Sequence, residues 1–419
     1  MIEESKLSNG IRTIIETVPN VRSVALGIYV EVGSAYETEQ NNGISHMIEH
    51  MLFKGTEKRS AREIAIETAR LGDDLNAYTA KEVTCFYARV LDEQLPSIVE
   101  ILGDMLCHSV FREDDLEKEK GIILDEIDMY EDSPEDMVQE QFQKLAWKGS
   151  PLGYIISGKE ENVRRITRDE LVRFWKESYV AERVLISVAG NVDVQKVREL
   201  LESSFSEIPH GKGIRKSDAP TYYPIRQVFQ KETEQMHLCM GFPGISHTDC
   251  RSYILSMANS ILGGSSCSRL FQQIREEQGH CYSIYSYGSS YRNAGTIQIY
   301  AGMNPEHAGD VGEGILDVIR KLQKTGPTEE EIRQTLSQIR SELYLSMENT
   351  HNRMNHNARS FLYYDRFISP EEMLSELEQI KREDLIRFMQ EFLNHERLGI
   401  TLMGDIQAHP EIKNIIYGI

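Results

Sequence analysis

The sequence has little cysteine, a deficit of basic charge and no long apolar run. Six cysteines occur in 419 residues (Cys85, Cys107, Cys239, Cys250, Cys267 and Cys281), and no two form a C-x-x-C pair. That is not a disulfide framework, so reduced, mostly buried thiols in a cytoplasmic setting are the expectation. Lys and Arg total 46 against 66 Asp and Glu, a formal net charge of −20. An acidic excess of that size argues against nucleic-acid and anionic-lipid partners, both of which need a basic face. No stretch approaches the roughly 18 apolar residues of a transmembrane helix. The opening MIEESKLSNG lacks a basic region followed by an apolar run, so no secretory signal is expected. The glycine-rich stretch Gly263-Gly264-Ser265-Ser266 has neither a Gly-Lys-Ser/Thr ending nor a G-x-G-x-x-G spacing, which argues against a nucleotide site.

What is present is an internal repeat. Residues 166–190 and 380–404 align without a gap at an offset of 214, with ten identities: Ile166/Ile380, Arg168/Arg382, Leu171/Leu385, Arg173/Arg387, Phe174/Phe388, Glu177/Glu391, Glu182/Glu396, Arg183/Arg397, Ile186/Ile400 and Gly190/Gly404. Each copy reads as an acidic-rich start, an amphipathic helix and a short apolar strand ending in Gly. The offset is about half the chain, so two tandem homologous domains are expected, at 1–208 and 221–419. They are joined by a Gly- and Pro-containing linker at 209–220. Residues 11–18 and 24–32 read as strands, 44–54 and 61–71 as helices, 77–90 as one long strand, and 95–106 and 116–130 as helices. The second half repeats the mixture, with strands near 237–242, 283–291 and 295–303 and helices at 253–262, 305–323 and 328–346. The class is α+β, each domain a sheet covered by helices.

The sharpest motif is His46-Met47-Ile48-Glu49-His50. Histidines at i and i+4 project from one helical face and can reach one metal ion, with Glu49 nearby to act on water. Asn42 and Ser45 are candidate N-caps, and Gly55 a candidate stop. A zinc site needs a third protein ligand, often a carboxylate. The acidic helix beginning near Leu116 offers Glu117, Glu119, Asp125, Glu126 and Asp128, and spacing alone does not choose among them. Cys107-His108 and His280-Cys281 are adjacent pairs whose side chains diverge, so neither is expected to share one metal.

The H-x-x-E-H motif with a glutamate 76 residues after His50 resembles the inverted zinc motif of the pitrilysin and mitochondrial-processing-peptidase family, M16. Gly43-Ile44-Ser45, Leu52-Phe53-Lys54-Gly55-Thr56 and Leu75-Asn76-Ala77-Tyr78-Thr79 fit as well. So does Ser268-Arg269-Leu270-Phe271 followed by Arg275 and Tyr282, and the likeness spans essentially the whole chain. One departure is Asp73 after Gly72, where many members carry a second Gly. The resemblance implies a LuxS/MPP-like metallohydrolase fold with mostly antiparallel sheets. It implies one Zn2+ per chain on His46, His50 and Glu126, with Mn2+ or Co2+ able to substitute. Glu49 would be the general base and Glu119 an outer residue orienting a ligand. Arg275 and Tyr282 would stabilise charge on the substrate carbonyl, and Asn76, Ala77, Tyr78 and Thr79 would offer a strand edge to a peptide. The implied activity is that of a two-domain bacterial processing protease of the M16B type, a zinc endopeptidase. It would act as a homodimer whose chamber encloses unfolded peptides. The alternative is a non-catalytic peptide-binding or scaffold subunit of a heteromeric complex. The charge of −20 then has a use, an acidic chamber favouring basic peptides.

Overall fold

Runs rich in Val and Ile whose two faces are both apolar form the inner strands of two sheets. The computed structural model describes residues 2–72, 74–212 and 219–410; Asp73 and residues 213–218 of the expected linker lie outside the described residues. The first sheet contains β1 (Ile2–Lys6), β2 (Arg12–Thr17), β3 (Ser23–Val30), β4 (Leu75–Thr79), β5 (Thr84–Leu91) and β6 (Val184–Gly190). Its order is β1-β2-β6-β3-β5-β4. The second contains β7 (Arg226–Gln230), β8 (Met236–Pro243), β9 (Cys281–Ser290), β10 (Gly295–Met303) and β11 (Gly399–Gly404), ordered β7-β11-β8-β10-β9. In each sheet one pair is parallel, β2 with β6 and β7 with β11, and every other neighbouring pair is antiparallel. Apart from β1 the two orders are the same. The offset of 214 carries Arg12, which opens β2, onto Arg226, which opens β7. The expected α+β class, with two homologous and mostly antiparallel sheets covered by helices, is the observed architecture.

One element differs from its sequence reading. Residues 77–90 are not one strand but the hairpin β4–β5, with Thr79 paired to Thr84. The composition is β-forming on both sides of the turn, so periodicity does not reveal it. The turn is held from outside. Ser34 and Ala35 donate backbone hydrogen bonds to the carbonyls of Ala80 and Lys81. A side chain on Gly33 would place its Cβ 2.1 Å from the Ala80 oxygen, so only glycine lets these backbones meet.

Two helices without a sequence assignment, Pro134–Ala146 and Thr350–Tyr364, decide how the chain is partitioned. By packing, the described residues within 1–128, 154–216 and 344–368 form one compact unit, and those within 129–153, 217–343 and 369–419 form the other. The compact units are therefore a different partition from the two linear halves. The Pro134–Ala146 helix belongs to the second unit and lies on β8 and β11, while Thr350–Tyr364 belongs to the first and lies on β3 and β6. The repeat explains the exchange, because each sheet has the same socket. Gly27 and Gly241 are 214 apart; a Cβ there would meet Met354 Sδ at 2.9 Å and Phe142 Cζ at 2.1 Å, respectively. Beside the sockets, the Ser187 hydroxyl donates to the Met354 carbonyl at 2.9 Å, and its repeat mate Thr401 donates to the Val138 carbonyl at 3.0 Å.

Val138, Phe142 and Ala146, four residues apart, are the fully buried stripe that seats the Pro134–Ala146 helix against Cys239, Tyr300 and Met403. Phe142→Ala is expected to destabilise the fold by about 3–5 kcal/mol, since a buried ring leaves a cavity. Chemical denaturation measures this, and a loss under about 1 kcal/mol would show the socket to be dispensable. Among the described residues no helix is long and apolar enough to cross a membrane.

Candidate metal centre

The Ile44–Leu52 helix carries His46, Glu49 and His50, and buries Ile44, Met47, Ile48, Met51 and Leu52 in the core of the first unit. Its start corrects the expected caps. Gly43, with φ +103°, is the N-cap, and neither Asn42 nor Ser45 caps through its side chain. The buried Glu37 carboxylate serves instead. It accepts the backbone N–H groups of Gly43 and Ser45 and the side-chain amide of Asn42, each at 2.8 Å. A carboxylate there satisfies otherwise orphaned donors and complements the helix dipole. The helix ends at Leu52 with Phe53 as C-cap, so Gly55 follows the end rather than making it.

The Glu113–Asp132 helix brings the carboxylates. Its buried stripe is Leu116, Glu119, Ile123 and Ile127, so Glu119 occupies a core-facing position. Of the five acids that spacing left open, Glu117 is exposed and pairs with Lys120, and Asp125 and Asp128 are exposed. Glu126 Oε2 lies 3.7 Å from His46 Nε2 and 3.6 Å from His50 Nε2. The two imidazoles meet edge-on with centroids 4.6 Å apart. Glu119 turns to the other side of the same ring, with Oε2 3.1 Å from His50 Nδ1 and Oε1 2.7 Å from Lys54 Nζ.

The donor set fits zinc. Two imidazole nitrogens and a carboxylate oxygen all lie within 4.8 Å of one another. Zinc bonds of about 2.0–2.2 Å in a tetrahedron would set ligand atoms roughly 3.3 Å apart, so closure needs only small side-chain rotations. Electrostatics prepares the ring nitrogens differently. Burial, with the nearby His50, pushes His46 down to about 4, so it is neutral near pH 7, the ligating form. For His50 burial acts in the same direction, but the hydrogen bond to Glu119 and the charges of Glu126 and Glu49 outweigh it and raise its pKa. Burial disfavours charge on Glu119, yet His50 and Lys54 hold it below the ordinary carboxylate range. An ionised Glu119 accepting Nδ1–H selects the His50 tautomer whose Nε2 faces Glu126. Glu119→Gln is therefore expected to weaken zinc binding about 10–100-fold, read by competition with a chromogenic chelator. An unchanged affinity would remove Glu119 from the site.

Glu49 is raised by burial, opposed by a hydrogen bond from the Thr79 hydroxyl to Oε2 and by the charge of His50. Thr79 ends β4, which is the edge of the first sheet. Along β4, Asn76 and Tyr78 are exposed on one face, while Leu75 and Ala77 pack toward the core that holds the Ile44–Leu52 helix. Arg275 and Tyr282 belong to the second unit. Arg275 lies on a π-helix, Phe271–Glu277, with its guanidinium 4.6 Å from the Phe271 ring centroid; Tyr282 is on β9 and 66% exposed. Gly263 and Gly264 both donate to the Asn259 carbonyl and end the Ser252–Leu262 helix. Two residues of the site, Glu37 and Lys54, are given no role by any sequence motif. Lys54 lies just past the end of the Ile44–Leu52 helix, in the turn after Phe53, and the capping role of Glu37 depends on how the chain folds back.

Residues 12–160 match the family model described as insulinase (peptidase family M16), and residues 165–339 match the one described as peptidase M16 inactive domain. A Bacillus subtilis relative named as an uncharacterized zinc protease, YmxG, is 40% identical over 91% of this chain and 93% of its own length. A Streptomyces coelicolor relative with a similar name, SCO5738, is 34% identical over 97% of this chain and 90% of its own. The crystal structure of a protease from Helicobacter pylori superposes with a TM-score of 0.88 at 20% identity, covering 96% of this chain and 99% of that one, which speaks to the fold. The repeat, the shared sheet order, the inverted motif and these matches lead to one assignment: the chain belongs to peptidase family M16.

Proposed function

We propose that the chain is a zinc-dependent endopeptidase that cleaves unfolded peptides or short polypeptides, working as a homodimer in the cytoplasm. The carrying observation is the convergence of His46, His50 and Glu126 beside a half-buried Glu49. His46, His50 and Glu126 would hold Zn2+, which when bound supplies a Lewis acid and an acidified water. The names of the curated relatives support zinc. Glu49 receives the water's proton and delivers it to the leaving amine. Thr79 occupies Oε2 and leaves Oε1 for that proton. The peptide adds as a strand to the outer side of β4, at Asn76, Ala77, Tyr78 and Thr79, with its backbone running past Glu49. Backbone pairing reads shape more than sequence, so specificity is loose and basic peptides gain from the acidic surface. Arg275 and Tyr282, supplied by the second subunit, offset negative charge on the carbonyl oxygen.

A peptide-library digest by the purified chain, with and without chelator, tests the activity. Chelator-sensitive cleavage is expected; a chain that binds zinc and peptide but cuts nothing would be a binding subunit instead. The dimer has its own test. Arg275→Ala chains mixed with Glu49→Gln chains are expected to regain part of the activity each lacks. No recovery would place both functions in one chain.

A further inference from the structure

The second unit carries another cluster with the chemistry of a metal site, on residues that the peptidase reading does not use. His280, His307 and Asp310 each offer a ligand atom, and these atoms lie within 4.8 Å of one another. Their placement follows from the sheet. His280 immediately precedes β9, and His307 follows β10 in the short 3-10 turn Pro305–His307. Since β9 and β10 are antiparallel neighbours, with Cys281 opposite Met303 across a register shift, the two histidines arrive side by side. Asp310 is in the first turn of the following helix, Ala308–Thr325.

Three observations set this cluster apart from surface histidines. The imidazoles of His280 and His307 stack with centroids 4.6 Å apart and planes 13° from parallel, which brings their ring nitrogens to one place. His280 Nδ1 is buried and has no hydrogen-bond partner, and ligation through it would supply one. His307 has a carboxylate near each nitrogen, Asp310 Oδ2 at 3.9 Å from Nδ1 and Glu306 Oε1 at 3.6 Å from Nε2. That is the pattern of His50, which faces Glu126 through one nitrogen and Glu119 through the other. One carboxylate can share the ion while the other orients the ring. Adjacent His280 and Cys281 do not form this site; the partners of His280 come from across the sheet.

We propose that His280, His307 and Asp310 form a second divalent transition-metal site, distinct from the one on His46, His50 and Glu126. Two imidazoles and one carboxylate suit Zn2+, Co2+ or Ni2+ and discriminate against Mg2+ and Ca2+, which prefer all-oxygen sites. Three protein ligands, with Asp310 exposed, make it an exchangeable site of lower affinity than the less exposed one on His46, His50 and Glu126. An ion there would tie the start of β9 to the helix beginning at Ala308. The inference does not depend on peptidase activity.

The test is zinc stoichiometry by equilibrium dialysis and elemental analysis across rising free Zn2+. Wild type is expected to saturate at two ions per chain, His46→Ala/His50→Ala at one, and His280→Ala/His307→Ala at one. Asp310→Asn, at an exposed position, is expected to weaken the second ion at least about tenfold and leave the first unchanged. As a check independent of the double variants' folding, zinc should raise the Tm of wild type in two steps and that of Asp310→Asn in one over the same concentrations. Saturation of wild type at one ion, or a second ion unaffected by Asp310→Asn, would overturn the proposal.

Discussion

Glu49→Gln is expected to lower kcat for peptide cleavage by about 10²–10⁴-fold or more while zinc stays bound, because general base assistance alone is worth that much. The substitution keeps the side chain's size, and its amide oxygen still accepts the Thr79 hydroxyl that holds Oε2 in the native site. What is lost is the ability to take a proton. His46, His50 and Glu126 do not rely on Glu49 for their separations of 3.6–3.7 Å, so zinc content should be unchanged. Rates on a fluorogenic peptide, measured with zinc content on the same samples, decide the matter. Near-native kcat in zinc-loaded Glu49→Gln would refute the assignment of the base. A loss of rate accompanied by a loss of zinc would mean that Glu49 holds the ion.

The other large effect concerns the proposed third ligand. Glu126→Gln is expected to reduce zinc affinity by more than the 10–100-fold predicted for Glu119→Gln, and to abolish cleavage at zinc concentrations that saturate wild type. The ordering follows from position. Glu126 is the carboxylate that approaches both imidazoles through Nε2, whereas Glu119 reaches only His50, through Nδ1, and is already neutralised by Lys54. Removing Glu126 leaves two neutral ligands for a divalent ion; removing the charge of Glu119 leaves all three ligands with a less firmly oriented ring. Chelator titration of the two variants side by side gives the ranking. If Glu119→Gln lost zinc more readily than Glu126→Gln, the two roles would be exchanged.

Legibility in the sequence followed the range of the contacts involved. His46 and His50 are one helical turn apart, so their shared face could be read from spacing. Glu119 and Glu126 are seven residues, about two helical turns, apart, but spacing alone leaves five acids on that helix open. What separates them is which carboxylates lie within reach of the Ile44–Leu52 helix, a contact 69 to 80 residues away in sequence. Glu37 was invisible for the same reason: it caps a helix that starts at Ile44 only because the intervening loop returns it. The β4–β5 hairpin reads as one strand because its turn, Ala80-Lys81-Glu82-Val83, has no Gly, Pro, Asn or Asp; it is closed by the Ala80 N–H to the Val83 carbonyl and braced by Ser34 and Ala35.

By itself the sequence determined the α+β class, the tandem repeat, the two histidines on one turn and the excess of acid, because each is a local pattern or a count. Only the tertiary structure decided which carboxylate faces the imidazoles, that Thr79 at a sheet edge holds Glu49, and that His280 meets His307 and Asp310. It also decided the exchange of the Pro134–Ala146 and Thr350–Tyr364 helices between the compact units. The exchange is open to a repeat protein because both sheets present a glycine socket, at Gly27 and Gly241, so a local pattern specifies the socket without specifying which helix fills it. Local periodicity encodes elements and faces; the partner of each face is chosen by packing over the whole chain.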